Sequence, residues 1–287
     1  MTITTGISVT TLERAHRRAV DDLLFHSYQV HTHLDWYEPV DWLDQHPALV
    51  RLAWVNHRLA GLLALSQTLN RTSWLRIVAL SDDSPANTVL GALWQDILPE
   101  LRDLGVETVS ALVMRQWVIN YLRDLNFVFV EDVITLQRSS TLLPDQPDLP
   151  VRVRGLYPDD LPRLTAIDQA AFSAPWQMTQ SEIRQASRIA ELCTVADVNA
   201  EPVGFQISTL YRDGAHLARL AVDPNNQGHG IGSILLHDLL RRFMERDIMS
   251  VTVNTQASNL RSQRLYRTFG FRRNGYDLPV WMIRIRR

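Results

Sequence analysis

The chain has 287 residues, 46% of them hydrophobic, enough apolar material for two cores and a prior of two domains. Its 29 basic residues, all Arg and none Lys, nearly balance 31 acidic ones, and the net charge of -2 argues against nonspecific nucleic-acid binding as its main task. The single Cys193 excludes an intramolecular disulfide framework, and no export signal or long apolar run is read, so a cytoplasmic protein without a membrane partner is expected.

In chain order, Ile7, Val9 and Leu12 open a strand and turn ahead of a helix. His31-Thr32-His33-Leu34-Asp35 would place two histidines on one side of a strand, as in some metal-dependent hydrolases. No further His, Asp or Cys cluster joins them, so no metal is expected. Trp36, Tyr37, Trp42 and Trp54 have the spacing of plain core aromatics more than of a pocket wall. Ser139 to Pro150 carries Pro144, Pro147 and Pro150 among polar residues and reads as a linker, giving expected domains of 1–138 and 151–287 around a linker of 139–150.

In the second half, Leu217, Leu220, Ala221 and Val222 form an apolar strand run stopped by Asp223-Pro224, with Asn225-Asn226 adding turn signal. Gly228, Gly230 and Gly232 then allow positive φ and close backbone approach, so successive N–H groups can converge on an anion. Ile231, Leu235, Leu236, Leu239, Leu240 and Phe243 recur at helical spacing and put a helix N-terminus directly after the loop, where a phosphate fits. The spacing Gln-x-x-Gly-x-Gly, and a following strand Ile248–Thr255 with no acidic residue at its end, disfavour a dinucleotide-binding loop. Asn259 and Tyr266 come next, on a helix that ends before Gly270-Phe271.

Two patterns in this order, Gln227-x-x-Gly230-x-Gly232 and Asn259-x-x-Ser262-x-x-Leu265-Tyr266 followed by Gly270-Phe271, resemble the GNAT superfamily of N-acyltransferases over residues 151–287. The resemblance implies an α/β (α+β) fold with a mixed, mainly antiparallel sheet flanked by helices and splayed around a coenzyme A arm. It implies that acetyl-CoA is the cosubstrate, with Leu220, Ala221 and Val222 hydrogen-bonding its pantetheine arm like an added strand. By the same resemblance, the backbone from Gln227 through Gly228, His229, Gly230, Ile231 and Gly232 holds the diphosphate, Asn259 contacts the pantetheine, and Tyr266 protonates the leaving thiolate. His229 is otherwise read as a solvated loop residue with no catalytic role. An amine attacks the thioester directly while a backbone N–H of the strand stabilises the oxyanion.

Phe172, Pro175-Trp176 and Gln256-Ala257-Ser258-Asn259 resemble the branch that acetylates the N-terminal alanine of a ribosomal protein. That branch carries a Glu where this chain has Asn254, and an amide takes no proton at neutral pH. His216 and Asp277 are the substitute bases considered. The acceptor is thus a primary amine, either a protein N-terminus or a small molecule, as in the tandem mycothiol synthases; a noncatalytic acyl-CoA sensor is the alternative.

The halves read as a diverged repeat at an offset of about 144 residues. Ile7, Val9 and Leu12 match Val151, Val153 and Leu156, and Tyr121–Phe127 parallels Leu265–Phe271. Against the glycine loop the first copy has Ser81–Asn87, with Asp82 and Asp83 and no glycine; against Tyr266 it has Leu122. Two tandem GNAT-like domains are expected, the first degenerate.

Overall fold

The computed structural model describes residues 6–146 and 148–286; Pro147 of the expected linker lies outside the described residues. The chain forms two compact units, Met1–Glu131 with Leu278–Arg287, and Asp132–Asp277. These units divide the chain at other positions than the expected domains of 1–138 and 151–287. The strand preceding the proline-rich segment, Val128–Arg138, lies mostly in the second unit, and the last strand, Leu278–Arg284, lies in the first. A strand's hydrogen-bonding partner is non-local, so proline content marks where the chain is irregular without marking which core it has joined.

The first unit contains β1 (Ile7–Thr11), α1 (Arg17–His26), β2 (Gln29–Thr32), α2 (Pro39–Gln45), β3 (Val50–Val55), β4 (Arg58–Leu65), β5 (Thr72–Leu80), α3 (Ala86–Asp103), β6 (Thr108–Leu112) and α4 (Val118–Asp124). Its sheet runs β1-β3-β4-β5-β6 and closes on β14 (Leu278–Arg284). All pairs are antiparallel except β5 with β6, which touch only over Thr72–Trp74 and Thr108–Ser110. The strands β4 and β5 are buried on both faces and read as near-continuous apolar runs. One face packs on Leu90, Leu93, Trp94 and Ile97 of α3. The other packs on Val20, Leu23, Trp42 and Leu43, with Tyr37 and Trp54 at its margin, so these aromatics are core.

The second unit contains β7 (Val128–Arg138), β8 (Arg152–Gly155), α5 (Leu161–Ala171), α6 (Gln180–Ile189), β9 (Leu192–Val198), β10 (Glu201–Tyr211), β11 (Gly214–Val222), α7 (Ile231–Met244), β12 (Val251–Gln256), α8 (Leu260–Thr268) and β13 (Arg272–Arg273). Its sheet order is β7-β12-β11-β10-β9-β8, again with one parallel pair, β11 with β12, limited to Ala215–Leu217 and Val251–Val253. Leu236, Leu239, Leu240 and Phe243 of α7 pack with Tyr266, Phe269 and Phe271 beneath this sheet.

Local chemistry repeats between the units. The β3–β4 hairpin turns through Asn56 and His57 at φ 48° and 62°, and the β9–β10 hairpin turns through Asn199 and Ala200 at φ 51° and 66°. Positive φ at both central residues is the two-residue turn whose twist matches paired strands, and Asn at the first tolerates it best. Helix α4 ends with Asn126 at φ 66° and a bond from Phe127 N to Leu122 O; α8 ends with Gly270 at φ 81° and a bond from Phe271 N to Tyr266 O. The same helix stop places Leu122 where the second unit has Tyr266.

His31 lies on β2, and His33 follows just beyond the end of the strand. His31 is fully buried, and among the described residues neither ring nitrogen has a hydrogen-bond partner. Burial, with His33 and Arg115 adding, pushes its pKa down to about 3. The unfolded chain therefore takes up this proton first, so the contribution of neutral His31 to stability is intact above about pH 6.5 and is lost as pH falls toward 3. Urea unfolding of wild type is expected to weaken by up to about 1.4 kcal/mol per pH unit in this window, and His31→Leu to flatten that slope. An unchanged slope would place the acid sensitivity elsewhere.

Candidate functional site

In both units the parallel pair parts after three residues, and the longer strand continues with one edge uncovered by its partner. The β4–β5 register leaves Arg76 bulged, and the β10–β11 register leaves Ala218 bulged. Counted from these bulges, Ile77–Leu80 correspond to Arg219–Val222. In the first unit the freed edge is filled by the chain itself: β2 pairs antiparallel with Ile77–Leu80. The Tyr28 amide ahead of it donates to the Asp82 carboxylate at 3.3 Å. In the second unit, among the described residues, no strand lies along that edge beyond Leu217.

The open edge runs into the glycine loop. Gly228 and Gly230 have φ of 85° and 81°, conformations that a side chain strains, and Gly230 is the N-cap of α7. Neither a capping side chain nor an acidic residue occupies the first turn of α7, so its N–H groups and helix dipole remain directed at the loop. Gln227 is a brace: its Nε2 donates to Val222 O at 2.9 Å, and its Oε1 accepts from Arg261 Nη1 at 2.5 Å. Gly228 and His229 are exposed, whereas the Ile231 side chain is buried against Leu235, which leaves only its backbone for a ligand. A Cβ on Gly232 would come within 3.3 Å of Leu265, so the loop and α8 are packed together.

Helix α8 supplies the remaining sequence-predicted groups. Asn259 is its N-cap, with Oδ1 accepting from Ser262 N at 3.1 Å, so the amide Nδ2 is the end left for a ligand. Tyr266 lies two turns on, buried, with its ring centroid 5.7 Å from that of Phe271. Burial pushes its pKa above the ordinary phenol value, against a smaller opposing pull from Arg219, so its proton is retained throughout the neutral range.

The two residues considered as bases, Asp277 and His216, are already engaged, and the position of the missing Glu offers no substitute. Asn254 is exposed and opposite Thr135. The Asp277 carboxyl accepts from Arg273, which holds its pKa below the usual carboxylate range and weakens it as a proton acceptor. His216 Nδ1 lies 2.8 Å from Thr252 Oγ1 on the neighbouring strand.

Two groups were not singled out from sequence. Arg219 donates from Nε to Asp168 Oδ2 at 2.6 Å and from Nη2 to Trp176 O at 2.8 Å, with its guanidinium 3.5 Å from the Phe172 ring centroid. This fastens the α5–α6 loop to β11 beside the open edge. An Arg inside the apolar run Leu217–Val222 was the available signal, since such a charge is buried only when paired. Arg261, the second, lies over the glycine loop. Among the described residues no group of three His, Cys, Asp or Glu is placed to hold a metal ion, and no helix is long and apolar enough to cross a membrane.

The acetyltransferase (GNAT) family model matches residues 161–271. Over 122 residues, 41% of this chain and 81% of the relative, the sequence is 33% identical to the ribosomal protein bS18 alanine N-acetyltransferase of Salmonella typhimurium. The chain belongs to the GNAT acetyltransferase family. Its class is therefore that of acyl-CoA-dependent acetyltransferases. The enzyme of the same name from Escherichia coli K12 is 30% identical over 129 residues, 43% of this chain and 86% of its own length. Similarity of fold extends over both units. A tandem GNAT protein from the clavulanic acid biosynthesis pathway matches 98% of this GNAT chain and 99% of its own, with a TM-score of 0.65 at 13% identity. A probable N-acyltransferase of Enterococcus faecalis V583 matches 98% and 73%, with a TM-score of 0.72 at 10% identity.

Proposed function

We propose that the second unit transfers an acetyl group from acetyl-CoA to a primary amine, and that the amine is the N-terminus of a polypeptide. The observation that carries the cosubstrate is the open edge of β11 leading into two left-handed glycines at the start of α7. An extended arm ending in a diphosphate matches this in shape and charge: strand-like hydrogen bonds to Leu220–Val222, then amides from Gln227 to Gly232 around the anion. Acetyl-CoA supplies the activated thioester. The residues of this chain do the rest: Asn259 Nδ2 orients the arm, a β11 N–H faces the carbonyl oxygen, and Tyr266 keeps a proton for the departing sulfur.

The polypeptide acceptor rests on the 30–33% identity to enzymes named for an N-terminal alanine. Asn254 favours a second reading, a small-molecule amine acceptor or a noncatalytic acyl-CoA sensor, because the residue cannot serve as a base. Thiol release from acetyl-CoA distinguishes these, measured against an Ala-initiated peptide and a panel of small primary amines. Turnover with the peptide well above any small amine is expected. Preference for a small amine would transfer the acceptor to that class, and tight acetyl-CoA binding without turnover would leave the sensor.

A further inference from the structure

Arg261 stands on the first turn of α8, exposed to solvent. Besides its bond to Gln227, its Nη2 is 3.3 Å from the point a Cβ on Gly228 would occupy, so the guanidinium covers the mouth of the glycine turn. Among the described residues no carboxylate pairs with it. The nearest acid along the loop, Asp223, is committed elsewhere, accepting from Asn225 N at 3.0 Å and from Arg163 Nη2 at 2.7 Å. The loop thus collects two left-handed glycines, an uncapped helix N-terminus and a guanidinium whose present partner is a neutral amide oxygen.

We infer that Arg261 is the movable clamp of the acyl-CoA site, exchanging the Gln227 oxygen for the diphosphate when the cosubstrate enters. This rests on the acetyl-CoA reading above. The exchange is favoured because guanidinium–phosphate bonds are charge-assisted and readily bidentate, whereas a surface contact to an amide contributes little. Gln227 keeps its bond to Val222 O, so the loop holds its shape while the arginine moves. Gly228 is needed twice, for its φ of 85° and because a side chain there would press on the guanidinium.

The clamp is tested by titration calorimetry of wild type, Arg261→Ala and Arg261→Lys with CoA, dephospho-CoA and pantetheine, none of which requires turnover. Arg261→Ala should bind CoA and dephospho-CoA about 10- to 100-fold more weakly, the loss of one charge-assisted hydrogen bond. Arg261→Lys should be intermediate, pantetheine should be insensitive to the substitution, and the exposed position should leave Tm unchanged. Equal CoA affinity in wild type and Arg261→Ala would overturn the clamp while leaving the acetyl-CoA reading intact. A loss confined to CoA would assign the arginine to the 3′-phosphate and overturn the diphosphate assignment. Absence of CoA binding to wild type would overturn the underlying reading itself.

Discussion

Replacing Tyr266 with Phe is expected to lower kcat for acetyl transfer by about 10²- to 10⁴-fold, the range associated with a positioned general acid. Acetyl-CoA affinity should be unchanged, since the loop and the β11 edge do not involve the phenol. The substitution keeps the buried ring against Phe271, so folding should be unaffected. The pH profile provides a second reading. Because burial raises the phenol pKa above its ordinary value, Tyr266 should stay protonated, and kcat should show no alkaline fall below about pH 10. Stopped-flow or steady-state thiol release with saturating acetyl-CoA measures both. A Phe variant with full activity would make Tyr266 a core residue and nothing more.

Arg219→Leu is expected to destabilise the second unit by about 3–5 kcal/mol, the cost of leaving a buried charge without its partner. The Asp168 side chain is 0% exposed and already has its pKa raised by burial, with Arg219 the main opposing influence. Losing the arginine also frees the Trp176 carbonyl and the Phe172 ring. The sign of the pH effect follows. In the variant the folded-state pKa of Asp168 rises further above its unfolded value, so stability is retained at low pH and lost as pH rises. Urea unfolding should therefore show a smaller gap between wild type and Arg219→Leu at pH 5 than at pH 8. The double variant Arg219→Leu/Asp168→Leu should recover part of the loss, because removing both charges leaves neither one stranded. A gap independent of pH, or a loss below about 1 kcal/mol, would mean that the pair is screened by solvent.

What the sequence disclosed was local. The glycines at 228 and 230, Asn259 and the phenol at 266 are picked out by spacing along one strand, one turn and two helices, and spacing survives in a linear text. The contacts that complete the site are not local. Asp168 and Arg219 are 51 residues apart, and Arg261 reaches Gln227 across 34. The strand β2 was hidden for another reason: its four residues include His31 and lead into His33, a pattern that reads as a metal pair, while its role is set by the vacated edge of β5. The exchange of terminal strands was concealed because Val128–Arg138 and Leu278–Arg284 carry ordinary strand patterns, and nothing in such a pattern names its partner.

On the proposed function, acetyl-CoA enters along β11 and into the loop before α7, while the corresponding edge of β5 in the first unit is filled by β2. Amide hydrogen exchange with and without acetyl-CoA tests this most directly. Protection is predicted in segments spanning 219–232 and the start of α8, with no change across 77–87. Protection across 77–87, or none at 219–232 at saturating acetyl-CoA, would contradict it.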